Sequence, residues 1–385
     1  MKRRIIQYTT VVLAFLAGMI FMTYMTRMGN RDMTGDMAQA QLPVVHAEQD
    51  GVLYNEMHGY VEDMDGASMR DSVIGVSEDH KVGLALEKYN AQIKSVSYEV
   101  RSLDMSRLIE GGDDLQAEDD GKYLHISLTL KDLLTQGEEY LLVLKVQTED
   151  QDLVRFYSIL TYLGTNHVQD CVDFAQRFHE MTLTGDSDGV LNYLEQDGSM
   201  DGKNLGYINI HSRSGPVTWG DMQVEQIGDP SLRFTELESD ITALTMEYQV
   251  TNTETSEQYQ VREAYRLRYT STRIYLLAYE RWTDKILEPG RQLVEDGKLS
   301  FGIQSSEPVY MKNTEENVVG FIEQGQLWSY DYGQNRLSLV YGFTDGQDGR
   351  ADWKEHDFRL LKVDDTGSMD FLLYGYMNSG RYEDR

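Results

Sequence analysis

The stretch VQDCVDFAQRFHEMT, at residues 168–182, decides the fold because its periodicity differs from that of the chain on either side. Its apolar residues recur every three or four positions, which places them on one stripe of an α-helix. They are Val168, Cys171, Val172, Ala175, Phe178 and Met181. A second short helix is predicted over 189–195, and apolar and polar residues alternate both before and after the two helices. We therefore expect a mainly β chain with α+β character, in which the helices separate two β regions.

The region before the helices, residues 53–164, has the alternation of β-strands. The clearest strands are predicted at 93–100, 123–128, 140–146 and 154–163. Acidic or glycine-bearing turns separate them. Tyr140 follows a turn at the start of a strand, as a tyrosine does at the corner of many β-sandwiches. We interpret this region as an Ig-like β-sandwich.

The region that begins with the helices, residues 165–290, continues with five alternating segments joined by turns. They are predicted as strands at 207–211, 222–227, 241–250, 259–269 and 273–282. Two helices followed by an antiparallel meander resemble the NTF2-like fold, an α+β cone. That resemblance rests on the order of the elements, and it implies a pocket between the sheet and the helices.

Short strands recur in the last region, residues 291–385, at 300–303, 318–323, 326–330, 336–343, 358–363 and 369–376. Two blocks, 326–343 and 358–376, share the order strand, polar turn, strand ending in Tyr-Gly, which is typical of propeller blades. A closed propeller needs about four blades or more. We therefore expect either an incomplete propeller-like region, in a chain cut short, or strands that complete a different sheet.

Aromatic residues are frequent in this last region. They are Trp328, Tyr330, Tyr332, Tyr341, Trp353, Tyr374 and Tyr376. Aromatic faces bind sugars and peptides, but alternation places most of these rings on strand faces. We predict that they serve mainly in core and cross-strand packing.

The N-terminal segment 5–26 (IIQYTTVVLAFLAGMIFMTYMT) carries no charge. At about 1.5 Å per residue, a helix of this length spans roughly 33 Å, enough to cross a hydrocarbon core of about 30 Å. Basic residues at positions 2–4 favour a cytoplasmic N-terminus, residues 1–4, and an extracytoplasmic C-terminal region. The small residues of a cleavage site lie only at 38–40, so we predict an uncleaved transmembrane helix rather than a signal peptide. Residues 27–52, which are polar and Met-rich, are predicted as a linker.

Charge and cysteine content narrow the classes of function. The chain has 35 basic and 64 acidic residues, and its net charge of -29 repels a phosphate backbone, so no nucleic-acid partner is expected. With Cys171 as its one cysteine, the chain has no possible intrachain disulfide. The fold must therefore be stabilised by its cores alone.

The motifs in the sequence favour turns and packing over chemistry. The Gly-x-Ser-x-Gly match at 185–189 follows a helix and has flanking carboxylates, so we interpret it as a turn with a helix cap, not as a hydrolase nucleophile at Ser187. The acidic turns at 63–66 and 186–189 lack the full ligand set of a calcium loop. Eight dispersed histidines show no i, i+4 zinc pair, and His179 is interpreted as a packed or surface residue. We assign no catalytic, cofactor-binding or metal residues and expect no cofactor.

Four features together resemble large, membrane-anchored extracytoplasmic proteins of Clostridia-type Gram-positive bacteria, which have no assigned function. They are the anchor, YNEMHGYVEDMDGASMRDSV at 54–73, the helix around 170–179 and the ending YGYMNSGRY at 374–382. The resemblance covers most of the chain. It implies a single-pass protein of the cell membrane with its folded region outside, and it brings no catalytic residues with it.

Two functions are open on this basis. The first is a non-catalytic scaffold or sensor, anchored in the membrane through 5–26, that binds an envelope protein, a peptide or a glycan through its β domains. The alternative is a hydrolase of envelope polysaccharide, whose carboxylate pair is brought together by folding. Two close carboxylates in a cleft, one of raised pKa, would favour the hydrolase. A shallow aromatic or hydrophobic groove would favour binding.

Overall fold

The computed structural model describes residues 15–19 and 42–376, except 71, 90, 114, 132, 150–152, 166, 199–204, 289–292, 296–297 and 343–355. With 54% strand and 11% helix, the protein is mainly β, and this coarse prediction is confirmed. We divide the described chain into the two-sheet region (42–164), the helix-and-sheet region (167–285) and the C-terminal region (286–376). Buried apolar residues of the first two regions form one continuous cluster.

The predicted transmembrane segment 5–26 lies outside the described residues, apart from 15–19, which are helical. Among the residues that the structure describes, no helix has both the length and the apolar character needed to cross a bilayer.

The predicted linker over 27–52 is wrong at its C-terminal end. Residues 44–49 form the first strand, and Val44, Val45 and Ala47 are buried. The strand turns back at Asp50 and Gly51, both with positive φ, to pair with residues 52–58. An Asp-Gly pair between alternating segments is a strong hairpin signal. The hairpin was missed because residues 27–52 were interpreted from their average composition, which is polar.

The two-sheet region contains ten strands. They are β1 (Val44–Gln49), β2 (Val52–His58), β3 (Val73–Ser77), β4 (Lys81–Glu87), β5 (Ile93–Ser102), β6 (Leu108–Gly112), β7 (Ala117–Asp119), β8 (Tyr123–Thr129), β9 (Glu139–Thr148) and β10 (Val154–Gly164). They form two five-stranded sheets, in the orders β2-β1-β4-β8-β7 and β3-β10-β9-β5-β6. The pairing of β3 with β10 is parallel, whereas β10 pairs antiparallel with β9. All four strands predicted for this region are present.

Tyr140 holds the turn before β9, as its position in the sequence predicts. The side chain is buried, and its hydroxyl accepts a hydrogen bond from the Thr135 N–H at 2.8 Å. The hydroxyl also donates to the Glu138 carboxylate at 3.0 Å. A buried tyrosine that bonds the backbone a few residues upstream is the arrangement of a tyrosine corner.

The helix-and-sheet region contains three helices and five strands. They are α1 (Val168–Leu183), α2 (Ser187–Leu191), β11 (Tyr207–Asn209), α3 (Ser214–Val217), β12 (Val224–Leu237), β13 (Ile241–Asn252), β14 (Gln258–Tyr269) and β15 (Ile274–Lys285). The strands form one antiparallel sheet in the order β11-β15-β14-β13-β12. The helix predicted over 168–182 is confirmed, and its apolar stripe is buried against this sheet. The second helix begins earlier and is shorter than predicted.

The C-terminal region is built from shorter strands. They are β16 (Val294–Glu295), β17 (Lys298–Leu299), β18 (Val309–Lys312), β19 (Val318–Glu323), β20 (Gln326–Asp331), β21 (Arg336–Tyr341), β22 (His356–Val363) and β23 (Met369–Gly375). Strands β18 to β21 form a four-stranded sheet, and the hairpin β22–β23 packs on it around Leu360 and Met369. The blocks 326–343 and 358–376 each pair internally, but they belong to different sheets.

The strand predicted at 300–303 is wrong. Gly302 has a φ of +78°, which is outside the β region, and the Ser300 N–H donates to the Leu293 carbonyl. The chain therefore turns where alternation predicted an extended strand. The strand β18, by contrast, was not predicted, because its four residues are too few to show a pattern.

Two contacts tie the regions together. Asn55, which is fully buried and has a φ of +51°, donates to the Val73 carbonyl at 2.7 Å and accepts from the Phe234 N–H at 2.6 Å. It thereby joins the two-sheet region to β12. At the other end of the chain, the Tyr376 hydroxyl donates to the Gly59 carbonyl at 2.9 Å. The C-terminal hairpin is thus docked on the two-sheet region, 317 residues away in sequence.

Candidate functional site

The most unusual chemistry of the described chain lies on the inward face of the sheet in the helix-and-sheet region. Along β14 the inward positions alternate with exposed ones, and they carry apolar or aromatic side chains except at Glu263. Opposite it on β15 lies Arg281. Both side chains are completely buried. Charged groups are rarely buried unless they are paired, so each needs partners.

Glu263 has a partner for each carboxylate oxygen. Oε2 accepts from the Tyr265 hydroxyl at 2.6 Å and lies 3.1 Å from Nδ1 of His179 on α1. Oε1 accepts from the Tyr279 hydroxyl at 2.8 Å. The carboxylate is therefore bonded to α1 and to two strands at once.

His179 has an acceptor oxygen next to each ring nitrogen. Its Nδ1 faces Glu263, and its Nε2 lies 2.6 Å from Oε1 of Gln226. The Gln226 amide nitrogen donates to the Gly228 carbonyl at 2.8 Å, which fixes the amide oxygen towards the histidine. A ring that donates from both nitrogens is an imidazolium. The two acceptors therefore suit a cationic His179.

The pKa values of the pair shift in agreement with this geometry. Burial works to raise the pKa of Glu263, but the hydrogen bond and charge of His179, helped by Tyr265 and Arg281, bring it below its ordinary value. Burial works to lower the pKa of His179, but the Glu263 carboxylate raises it above its ordinary value. Both directions favour the ionised form of the pair.

Arg281 is held on the other side of the same interior. Its Nη atoms donate to the carbonyls of Val217 at 2.7 Å and Pro216 at 2.9 Å, at the end of α3. Its guanidinium carbon lies 4.0 Å from the centroid of the Trp219 ring, a cation–π contact. Within the described part of this region, the buried charges are those of His179, Glu263 and Arg281. Two cations thus face one carboxylate.

A surface cavity of about 290 Å³ lies beside this interior, at α1. Phe178 lines it, and the same ring lies 4.8 Å from the ring of Tyr279 and 6.0 Å from that of Tyr265. Phe178 therefore separates the cavity from the tyrosines that bond Glu263. The contact between His179 and Glu263 joins α1 to the sheet.

A pair of acidic residues lies where the helix-and-sheet region meets the C-terminal region. Burial and the charge of Asp284 raise the pKa of Glu323 to about 7. The Asp284 carboxylate accepts from the Ser305 N–H at 2.6 Å and from its hydroxyl at 3.0 Å. Asp284 thus fastens the segment after β17 to the end of β15. Two neighbouring carboxyl groups, one of them with a raised pKa, are what a hydrolase would need.

The sequence motifs behave as turns and caps. The Asp186 carboxylate accepts from the Gly189 N–H at 2.9 Å and caps α2, and the Ser187 hydroxyl is bonded to the Thr218 hydroxyl at 2.9 Å. The interpretation of 185–189 as a capped turn is therefore confirmed. Asp65 caps a single 3₁₀ turn, Gly66–Ser68, in the same way. Over the described ranges, His, Cys, Asp and Glu residues form no group of three or more that could hold a metal ion.

Cys171 and His179 show what the sequence revealed and what it did not. Cys171 is fully buried on the apolar stripe of α1, as predicted, and burial raises the pKa of its thiol. His179 is packed, which is one of the two alternatives that the sequence left open, but its partner Glu263 was missed. The available signal was in QYQVREAYRLRY at 258–269, where Glu263 occupies an inward position of an otherwise regular alternation.

The C-terminal hairpin exposes the other candidate surface, which we call the outer hairpin face: Asp357, Arg359, Leu361, Leu372 and Tyr374. The strand register places Arg359 opposite Leu372 and Asp357 opposite Tyr374, and a bulge adds Leu361. Leu361, Leu372 and Tyr374 are 49%, 55% and 62% exposed. The opposite side of the same hairpin packs on the four-stranded sheet.

The aromatic residues of this region divide between the two roles that the sequence left open. Trp328 and Tyr330 are buried in the sheet core, as predicted, whereas Tyr374 is exposed on the outer hairpin face. Trp353 lies outside the described residues.

Comparison with known proteins adds no assignment. The chain matches no known protein family, and no curated protein is significantly similar to it.

Proposed function

We propose that this protein is a non-catalytic scaffold or sensor whose outer hairpin face binds another envelope protein. In this proposal residues 5–26 anchor the chain in the cell membrane and its folded region is extracytoplasmic. The two-sheet region is an Ig-like sandwich, the helix-and-sheet region is an NTF2-like domain, and the C-terminal strands are propeller-like. The charge-free segment, the basic residues at 2–4 and the order of the sheets support these assignments.

The observation that carries the proposal is the exposure of Leu361, Leu372 and Tyr374 side by side on a hairpin whose other face is packed. Clustered apolar groups rimmed by charges mark interaction surfaces more often than isolated ones do. The contacts of Asn55 and Tyr376 fix the three regions to one another. The hairpin is therefore held in place by contacts with the rest of the protein.

The composition of the outer hairpin face favours a polypeptide over a sugar. Sugar platforms rely on exposed aromatic rings, whereas this face has two leucines beside one tyrosine. Asp357 and Arg359 lie on the same face and offer both signs of charge to polar groups of a partner. This combination of apolar groups with charges of both signs suits a protein interface.

The test is a pull-down from detergent-solubilised native membranes with the tagged full chain. The double variant Leu372→Asp with Tyr374→Ser should lose a stoichiometric protein partner that the unmodified chain retains. Ile227→Asp, which changes an exposed apolar residue of β12, is the matched control and should retain the partner. Retention by the double variant would refute this surface, and capture of glycan alone would refute the protein partner. A chain lacking residues 1–31 tests the anchor, because it should no longer fractionate with membranes.

The hydrolase is kept as a second candidate because of the Glu323–Asp284 pair and the raised pKa of Glu323. A general acid needs a proton near neutral pH, which a pKa of about 7 provides. Purified full chain should then release soluble fragments from isolated envelope polysaccharide, and Glu323→Gln should abolish the release. Equal release by both proteins, or none by either, would remove this candidate.

A further inference from the structure

Four buried polar atoms of the helix-and-sheet region have no hydrogen-bond partner among the described residues. They are Trp219 Nε1, Tyr248 OH, Arg281 Nε and Thr283 Oγ1. The four side chains are at most 3% exposed. Buried polar groups in native proteins are nearly always paired, so a cluster of unpaired ones calls for a missing partner.

The register of the sheet places these residues together. Tyr248 lies opposite Val261, and Val261 lies opposite Thr283, so Tyr248 and Thr283 belong to one row across β13, β14 and β15. Arg281 is two residues before Thr283 and points to the same face of the sheet. The ring of Trp219 lies against the guanidinium of Arg281. The unpaired groups therefore border one part of the interior.

The same interior has an unbalanced charge. His179 and Arg281 are cations and Glu263 is the one carboxylate among the buried residues described there. The Nη atoms of Arg281 are bonded to backbone carbonyls, but its Nε–H faces no acceptor. Burial, and then the nearby Glu263 carboxylate, raise the pKa of Tyr248, and its hydroxyl has no other partner among the described residues. One positive charge is left without a counter-charge.

We propose that this interior binds a small anion, a halide or a carboxylate of formate size, between Arg281, Trp219, Tyr248 and Thr283. The N–H groups of Arg281 and Trp219 can only donate, and the two hydroxyls can donate as well, so the guest must be an acceptor. A water molecule would accept two of these bonds but would leave the charge unbalanced. The site is separate from the outer hairpin face and does not depend on the proposed function.

The test is thermal unfolding of the purified full chain at constant ionic strength. Sodium gluconate is the reference salt, because its anion is too large to fit between side chains in adjacent rows of one sheet. Sodium formate or sodium chloride then replaces it. We expect a saturable rise in Tm with formate or chloride, because a ligand that binds only the folded state stabilises it. Thr283→Val and Tyr248→Phe each remove one donor with little change in volume. Each should raise the half-saturating concentration about tenfold, which corresponds to about 1.4 kcal/mol of binding free energy.

Tyr259→Phe is the matched control. Tyr259 is a buried tyrosine of the same sheet whose hydroxyl already donates to Glu257 at 2.8 Å. Its removal should leave the half-saturating concentration unchanged. Equal Tm values in the three salts would overturn the proposal. So would a rise in Tm that does not saturate, or one that the Thr283 and Tyr248 variants leave unaltered, since either would be a general effect of salt on the protein.

Discussion

Two pairs of neighbouring strands, β9–β10 and β14–β15, differ in the side chains that they bury. In β9 and β10 every buried residue is apolar, aromatic or a neutral hydroxyl, and residues 140–144 are buried in succession because the sheet is covered on both faces. In β14 and β15 the inward positions include Glu263 and Arg281. Burial of apolar area alone stabilises the first pair, whereas the second also depends on each charge having its partners.

The two sheets should therefore differ in how well they tolerate substitutions of their buried side chains. An apolar core accepts other apolar side chains of similar volume at modest cost. The interior around Glu263 constrains the position of α1, because His179 on that helix lies 3.1 Å from its carboxylate. The burial patterns also differ, because β9 has five buried residues in succession whereas β14 alternates. The inward charges are a second difference between the two pairs of strands.

The largest expected effect is the removal of the inward carboxylate. Glu263→Leu leaves Arg281 as a buried cation without a counter-charge and removes the acceptor of His179, Tyr265 and Tyr279, and we expect a loss of about 3–5 kcal/mol of unfolding free energy. Glu247→Leu, at an exposed position of the adjacent strand, should change it by less than about 0.5 kcal/mol. Urea unfolding of the three chains measures this. A stability of Glu263→Leu equal to that of the control would remove the distinction between the two cores.

The second-largest loss of unfolding free energy is expected at Asn55, which joins the two-sheet region to β12. Asn55→Ala leaves the Val73 carbonyl and the Phe234 N–H buried without partners, which should cost about 2–4 kcal/mol at about 1–2 kcal/mol for each group. Asn55→Asp keeps an acceptor for the Phe234 N–H but buries a carboxylate against the Val73 carbonyl, so it should lose at least as much. Calorimetry of both variants checks the order. If the alanine variant unfolds like the unmodified chain, Asn55 does not join the two regions.

A smaller effect is expected from the His179–Glu263 ion pair, whose contribution to the unfolding free energy should depend on pH. Because the pKa of His179 is raised, its contribution is complete below 6.5 and is lost as pH rises through the folded value. Because the pKa of Glu263 is lowered, its contribution is present above 4.5 and is lost as pH falls through the folded value. The stability difference between the unmodified chain and His179→Gln should therefore be largest between pH 4.5 and 6.5, at about 1.5–3 kcal/mol. A difference that is constant from pH 4 to 9 would contradict an ionised pair.

The smallest effect is expected in the two-sheet region. Tyr140→Phe removes the hydroxyl that bonds Thr135 and Glu138, and it should cost about 0.5–1.5 kcal/mol without any pH dependence near neutrality. Denaturant melts at two pH values measure both properties. A larger cost that changed with pH would show that this core also depends on an ionised group.

The sequence predicted most of the elements because each long strand or helix keeps one period. The helix at 168–182, four of the ten strands of the two-sheet region and the five strands of the helix-and-sheet region follow from that period. The errors lie where local geometry outweighs it. Gly302 turns the chain in a segment that alternates, and the Asp50–Gly51 hairpin begins inside a stretch whose average composition is that of a linker.

The candidate sites were harder to predict from the sequence. His179 and Glu263 are 84 residues apart, and Gln226 lies on a third element, so no spacing rule joins them. Arg281 meets Glu263 only through the register of β14 and β15. The outer hairpin face was equally hidden, because alternation shows that Leu372 and Tyr374 share a side but not which side is covered.

The most direct test of this account is the ionisation of His179. Histidine-selective ¹⁵N labelling of the full chain, with the resonance assigned by His179→Gln, follows both ring nitrogens through a pH titration. The account predicts that both nitrogens stay protonated above pH 6.5, the ordinary midpoint, since one faces Glu263 and the other Gln226. A midpoint at or below 6.5, with one bare nitrogen at neutral pH, would contradict the buried cation and with it the charge balance of the interior.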